Sequence, residues 1–316
     1  MLTAHHHGKG QIRVMKVFRS AEKHEVRQFL VETNLIGPVE ACFLSGDNSK
    51  IVATDTQKNT VFILAKQLTP TVKSAEAFAK IIATHFVTTY PEAIKQCKVN
   101  ILEEIWERTS VDGTPHHHSF QKAGPHTGFA HADVGRNEQN EVVINVLQGG
   151  VRQLTLLKTT QSSFENFVRD QYTALPETNE RLLATSCDST WQYDPETASN
   201  CPDFEILAAS TRKAIVEGFS GPAATGVPSP SLQRTAFEIG QNVIDKVDGI
   251  SSVTLYLPNI HNIPVNFEPF GLSNTDETGN PDVFWVTKEP FGIIQATVSR
   301  PTEGAATATN AYVMSQ

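Results

Sequence analysis

Four polar groupings in this sequence stand where chemistry could be done. The first is Gly8-Lys9-Gly10, directly ahead of the apolar stretch Ile12–Val17. A lysine between glycines at a strand mouth is either a solvated cation or a proton carrier, and spacing alone favours the first. The second is Thr54-Asp55, reached from Ile51-Val-Ala. Here an apolar strand is expected to run straight into side chains that cap a helix, and a helix N-terminus also offers free N–H groups to an anion. The third is Asn259 and His261 in Leu257-Pro-Asn-Ile-His. They follow a strand and straddle one residue, as a turn or as a polar pair of a site. The fourth is Arg181, ahead of the Trp191 strand, which faces a cleft or an ordinary surface acid.

Familiar signatures are missing from the sequence. There is no GxxxxGK, no GxGxxG after a strand, no HExxH and no GxSxG. This weighs against nucleotide hydrolysis, dinucleotide redox chemistry, zinc proteolysis and the common serine hydrolase layout. Six of the 11 histidines lie in the triplets His5–His7 and His116–His118. Three adjacent side chains diverge, whereas a defined zinc site wants ligands at spacings such as H-x3-H on a helix. No metal is expected. The four cysteines form no CxxC pair, so free thiols are expected.

The chain that must position these groups has 316 residues, enough for two domains of about 150. Its charged fraction is 19% and its net charge −8. That balance argues against nucleic acid or an anionic membrane as the main partner. No apolar run approaches the roughly 18 residues of a membrane span, and the polar N-terminus lacks a signal-peptide core.

Two stretches have a helical period. Ala75, Phe78, Ala79, Ile82 and Phe86 form one stripe behind the N-cap Ser74, and Leu232, Ala236, Ile239, Val243 and Val247 form another behind Pro228-Ser-Pro230. A shorter helix is predicted over Ser163–Tyr172. Strands are predicted at Val99–Trp106, followed by an Asp112-Gly113 turn and a second extended stretch to Phe120. Further strands are predicted at Ser251–Leu257 and Phe291–Val298. Glu141–Leu147 and Val151–Lys158 read as a hairpin about Gly149-Gly150. The residues from Pro301 onward read as a mobile tail. Helix and strand at Phe78–Phe86 and Val99–Ile105 have counterparts at Ala236–Ile244 and Val253–Asn259, which suggests a duplication. Strands in hairpins favour an antiparallel α+β fold.

Several segments, in this order along the chain, resemble urate oxidases: HGKGQIRVMKV, GDNSKIVATDTQKNTVFILAK, WERTSVDGTPHHHSF, LLKTTQSSFENFVRDQYTALPETNERLLAT and LPNIHNIPVNF. The resemblance spans roughly residues 7–300. It implies two tandem T-fold domains, residues 1–136 and 137–300, with residues 301–316 as a flexible C-terminal tail. Each domain would be an antiparallel sheet backed by helices. It also implies a homotetramer whose sheets close into barrels, with active sites at subunit interfaces. The implied reaction is oxidation of urate by O2 and water to 5-hydroxyisourate and hydrogen peroxide, with no cofactor.

By the same resemblance Lys9 and Thr54 match a proton-relay pair, and His261 the histidine that tunes the lysine. Backbone N–H groups of Thr54 and Asp55 would meet the five-membered ring. Arg181 matches the clamp on the pyrimidine side and Gln233 its opposing amide. Leu232 would offer a backbone N–H, Phe164 would stack on the purine face, and Asn259 would hold O2 or water above the ring. His7, Leu232, Ile260 and Asn262 depart from the family's usual residues at or beside matched positions. Two other readings stand beside this one. One is another purine- or pterin-handling T-fold enzyme, the hydrolytic kind needing zinc. The other is a non-catalytic purine-binding relative. The resemblance implies an intracellular enzyme, peroxisomal in many relatives, but Val313-Met-Ser-Gln316 is no SKL-type tripeptide, so the cytoplasm stays open.

Overall fold

A computed structural model describes residues 1–301, so the tail expected beyond Pro301 lies outside the described residues. The chain opens with β1 (His7–Arg19) and β2 (His24–Ile36), then α1 (Glu40–Ser45), α2 (Thr54–Gln67) and α3 (Ala75–Thr89), then β3 (Gln96–Val111) and β4 (Thr114–Arg136). The second half repeats that order with β5 (Val142–Lys158), β6 (Leu183–Tyr193), α4 (Pro195–Asn200), α5 (Phe204–Ser220), α6 (Leu232–Lys246) and β7 (Ile250–Pro264). It closes with β8 (Phe284–Thr287) and β9 (Ile293–Ser299).

All the strands join one antiparallel sheet in the order β1-β2-β3-β4-β5-β6-β7-β8, with β9 also paired to β7. The two halves are therefore joined edge to edge through β4 and β5. Helices cover one face: α3 packs on β3, β4 and β5, and α6 packs on β7 and β9. The alternation of buried and half-buried residues along β6 shows the result, with Cys187, Ser189, Trp191 and Tyr193 turned to the covered side.

The two periodic stripes form α3 and α6 as predicted, and Ser74 caps α3 by accepting from Ala77 N at 3.1 Å. Other expectations fail for local reasons. Ser163–Tyr172 is not a helix. Phe164 pairs its backbone with Thr178 in both directions, at 2.7 and 3.1 Å, and Asn166 takes a φ of 59°. Gly149-Gly150 is not a turn, because β5 runs straight through it. Gly149 lies opposite Trp191, and a Cβ there would overlap the indole and Glu76; one on Gly150 would overlap the Ser189 carbonyl. Ile51–Ala53 is not a strand, and Thr54 does not cap α2: the N-cap is Ala53, with no side-chain cap bond. Leu257–His261 is not a turn but the continuation of β7.

A polar seam lies between the halves, in a cavity of about 200 Å³ lined by Arg27, Glu76, Glu103, Glu205 and Arg212, among others. Tyr193 Oη donates to Glu76 Oε1 at 3.1 Å, Trp191 Nε1 donates to Tyr193 Oη at 2.9 Å, and Arg27 Nε sits 3.3 Å from Glu103 Oε1. Burial pushes Glu76 up to about 7 from an ordinary 4.5. The folded state thus holds this proton more tightly than the unfolded chain does. Stability should fall as pH rises from about 4.5 to about 7, and level off above. Glu76→Gln keeps an acceptor for Tyr193 and removes that titration. The variant is expected to be more stable than wild type near about pH 8, on the order of 1–3 kcal/mol, and to show a flatter profile in denaturant melts across that range.

Candidate active site

Lys9 stands near the start of β1, opposite Thr33 of β2. Just beyond it the pairing shifts between Lys9 and Ile12, and Gln11 takes a φ of 58°. This bulge bends the edge strand next to the lysine. Thr54 and Asp55 begin α2, which packs on β1, and both are exposed. Because Ala53 supplies no cap, the first-turn N–H groups are left for an outside acceptor. Asp55 is held below its ordinary carboxylate range, first by the hydrogen bond from Lys58 Nζ at 2.5 Å, with Lys9 adding a smaller electrostatic pull. The expected Lys9, Thr54 and Asp55 grouping is therefore brought together at one corner of the sheet.

A second grouping forms around Arg181, just ahead of β6. Its guanidinium lies 5.4 Å from the centre of the Phe164 ring, and its Nε donates to Ser162 Oγ at 3.3 Å. Burial lowers its pKa from the ordinary value. Ser162 and Ser229 are both buried and bridge in parallel; Ser163 N donates to Ser229 O at 2.9 Å, and Ser229 N to Gln161 O at 2.8 Å. Ser229 Oγ reaches Thr235 Oγ1 of α6 at 2.5 Å. This line of hydroxyls ties the Arg181–Phe164 loop to the start of α6, where Leu232 is buried and Gln233 exposed. A flat ring and a planar cationic fork held this way suit a flat anion.

Asn259 and His261 are two apart on β7 and both half-buried. With Arg181 they line a cleft of about 930 Å³, a size that takes a small ligand. No residue of β1 or α2 lines that cleft. β1 and β7 are six strand steps apart in the sheet, about 29 Å at about 4.8 Å per step. Within one chain, then, Arg181, Phe164, Asn259 and His261 meet on one side, and Lys9, Thr54 and Asp55 stand on the other. His261 does not meet Lys9. Among the described residues no group of three or more His, Cys, Asp or Glu side chains is arranged to hold a metal ion.

The supporting polar groups Thr33, Gln57, Ser162, Ser229 and Thr235 escaped the sequence reading. One signal was available for Gln57. It lies three residues beyond Thr54 on what becomes the inner face of α2, where an amide must find partners.

The Uricase family profile matches residues 5–132 and 147–295. The chain is similar to the uricase of Arabidopsis thaliana, 40% identical over 94% of this chain and 95% of that one. It is similar to the uricase of Oryctolagus cuniculus, 33% identical over 93% of each. The crystal structure of uricase from Arthrobacter globiformis superposes with a TM-score of 0.81, at 30% identity over 99% of both chains.

Proposed function

The chain belongs to the uricase family, and from that premise we propose that it oxidises urate with O2 and water to 5-hydroxyisourate and hydrogen peroxide. The observation that supports this reading is two complementary groupings of the matched residues, set near opposite ends of the sheet. One half is a cationic and aromatic clamp of Arg181 and Phe164, tied through Ser162, Ser229 and Thr235 to the start of α6, which carries Gln233. The other is an uncapped helix start with a lysine at hand.

Urate is electron-rich, and more so once deprotonated. It passes two electrons to O2, which leaves as peroxide, while water supplies the hydroxyl that bonds to C5. The substrate thus does work that a flavin or copper does elsewhere, and no metal or organic cofactor is required. What remains for the chain is positioning and proton transfer. Arg181 and Gln233 grip the pyrimidine side, and Leu232 adds a backbone N–H. Phe164 stacks on the ring. Thr54 and Asp55 present N–H groups to the five-membered ring. Lys9 and Thr54 relay protons, with His261 tuning the lysine. Asn259 holds O2 or water over the ring face.

These roles need two chains. The outer edge of β1 and the strands beyond β7 are the ends of the sheet, and free sheet edges pair. Pairing them between copies brings Lys9 of one copy to His261 of another and closes the sheets into a barrel. A homotetramer with sites at such interfaces, each chain carrying the repeats 1–136 and 137–300, is the assembly that fits these roles. We place the enzyme inside the cell, in the peroxisome or the cytoplasm.

Mixing the protein with urate in air tests the substrate. The ultraviolet absorbance of urate is expected to fall while peroxide accumulates. Urate left intact while another purine or a pterin is turned over would sink the assignment.

A further inference from the structure

His7 has no part in the reaction as set out above, yet it stands in the same corner as Lys9. The two are neighbours but one on β1, in regular register with Leu35 and Thr33, so both project to the same side. From there the His7 ring reaches the segment that leads into α2: Nε2 lies 3.1 Å from the Val52 carbonyl oxygen. A carbonyl only accepts, so the proton sits on Nε2 and the tautomer is fixed. Nδ1 is then left with a lone pair, buried and without a partner among the described residues. Burial lowers the pKa of the ring and outweighs the Val52 hydrogen bond, which raises it; His5 and His6 lower it further, and the balance favours the neutral form.

The Val52 oxygen takes a second donor. Gln57 Nε2 reaches it at 3.1 Å from inside α2, and Gln57 is fully buried. Gln57 Oε1 in turn accepts from Thr33 Oγ1 at 2.8 Å. Thr33 lies opposite Lys9 in the sheet, and its Oγ1 is 3.5 Å from the Lys9 carbonyl oxygen. The circuit closes from Lys9 through Thr33, Gln57, Val52 and His7 back along β1. It spans the strand that carries the lysine and the first turn that carries Thr54. Ala53 offers that turn no side-chain cap, so two donors brought to the preceding carbonyl hold its direction instead.

We propose that His7 is a positioning residue for the Lys9–Thr54 pair, acting by donating Nε2–H to the Val52 carbonyl, with Gln57 as the second donor to the same oxygen. This deepens the functional reading above and rests on it. Proton transfer needs heavy atoms within about 2.6–3.2 Å, and a misplacement of about 1 Å can cost about 10²-fold. The Arg181 clamp belongs to the other half of the site and is untouched. Loss of the donor therefore slows the chemical step more than it weakens urate binding, which loses only the hold of the Thr54–Asp55 turn.

His7→Phe keeps a ring of similar size and removes the donor. It is expected to lower kcat about 10- to 100-fold, with a clearly smaller rise in KM for urate. His7→Gln restores a donor and should recover most of kcat. Gln57→Met should also lower kcat, and the double variant His7→Phe/Gln57→Met should cost clearly less than the product of the two, because both act through one oxygen. Independently of urate, nitrogen NMR on histidine-labelled protein should find His7 as the neutral Nε2–H tautomer near neutral pH. A His7→Phe enzyme with wild-type kcat, or an Nδ1–H tautomer, overturns this proposal while leaving the function standing. If His7→Phe does not fold, the tautomer and the Gln57→Met kcat still decide. Wild-type protein that leaves urate untouched overturns both readings together.

Discussion

Two inactive variants, Thr54→Ala and Arg181→Ala, are expected to restore activity when refolded together. Each removes one half of the proposed site. Thr54 stands at the start of α2 and Arg181 ahead of β6, on opposite sides of the sheet. A site at an interface takes the Thr54 half from one chain and the Arg181 half from its neighbour. With equal mixing each half is intact half the time, so about a quarter of the sites are whole. Another quarter carry both lesions, and the rest carry one. Steady-state rates on tetramers shown to contain both chains would read this directly. Mixed tetramers no more active than the parents would mean that the site is built within one chain.

Lys9→Met is expected to cut kcat by about 10²–10⁴, the usual worth of a positioned proton carrier, with KM for urate little changed. Arg181→Gln is expected to do the reverse and raise KM more than it lowers kcat, because a planar fork on the anion is replaced by a single neutral amide. The contrast matters more than either number. A Lys9→Met enzyme with near-normal turnover removes the lysine from the relay and leaves Thr54 without a partner at that corner.

The parts of the fold that could be read in the sequence are those whose apolar faces are unbroken. The stripes of Phe78, Ala79, Ile82 and Phe86 and of Ala236, Ile239 and Val243 are fully buried, and they set α3 and α6. α5 went unread because its inner face mixes Phe204, Ile215 and Phe219 with Ala208, Thr211 and Ala214, small and polar residues that blur the period. α2 hides Gln57 and Thr60 on its inner face for the same reason. The segment after Ser162 misled in the other direction. Phe164 and Phe167 have helical spacing, yet their rings stack 4.9 Å apart on an irregular loop while Val168 is 95% exposed. A pairing with Thr178 outweighs the local preference there. The glycine pair in β5 answers to Trp191 on the neighbouring strand, a contact that no local pattern announces.

The site divides along a similar line. Lys9, Thr54, Arg181, Asn259 and His261 could be singled out as polar residues at element ends, but composition and spacing left each with an ordinary alternative. Their roles came from the resemblance, and their grouping in space comes from the sheet order. The residues that hold them, Thr33, Gln57, Ser162 and Ser229, are buried hydroxyls and an amide whose partners are far away in sequence, such as Thr33 to Gln57 and Ser162 to Arg181. Such pairings become visible only once the strands are in register.

Whether this chain oxidises urate with its own side chains alone is tested most directly by an oxygen electrode. The protein would first be dialysed against a strong chelator and checked for bound flavin. The expected result is one O2 consumed and one peroxide formed for each urate lost, at a rate the chelator does not change. Protein that takes up no oxygen until copper, iron or flavin is added back would contradict it.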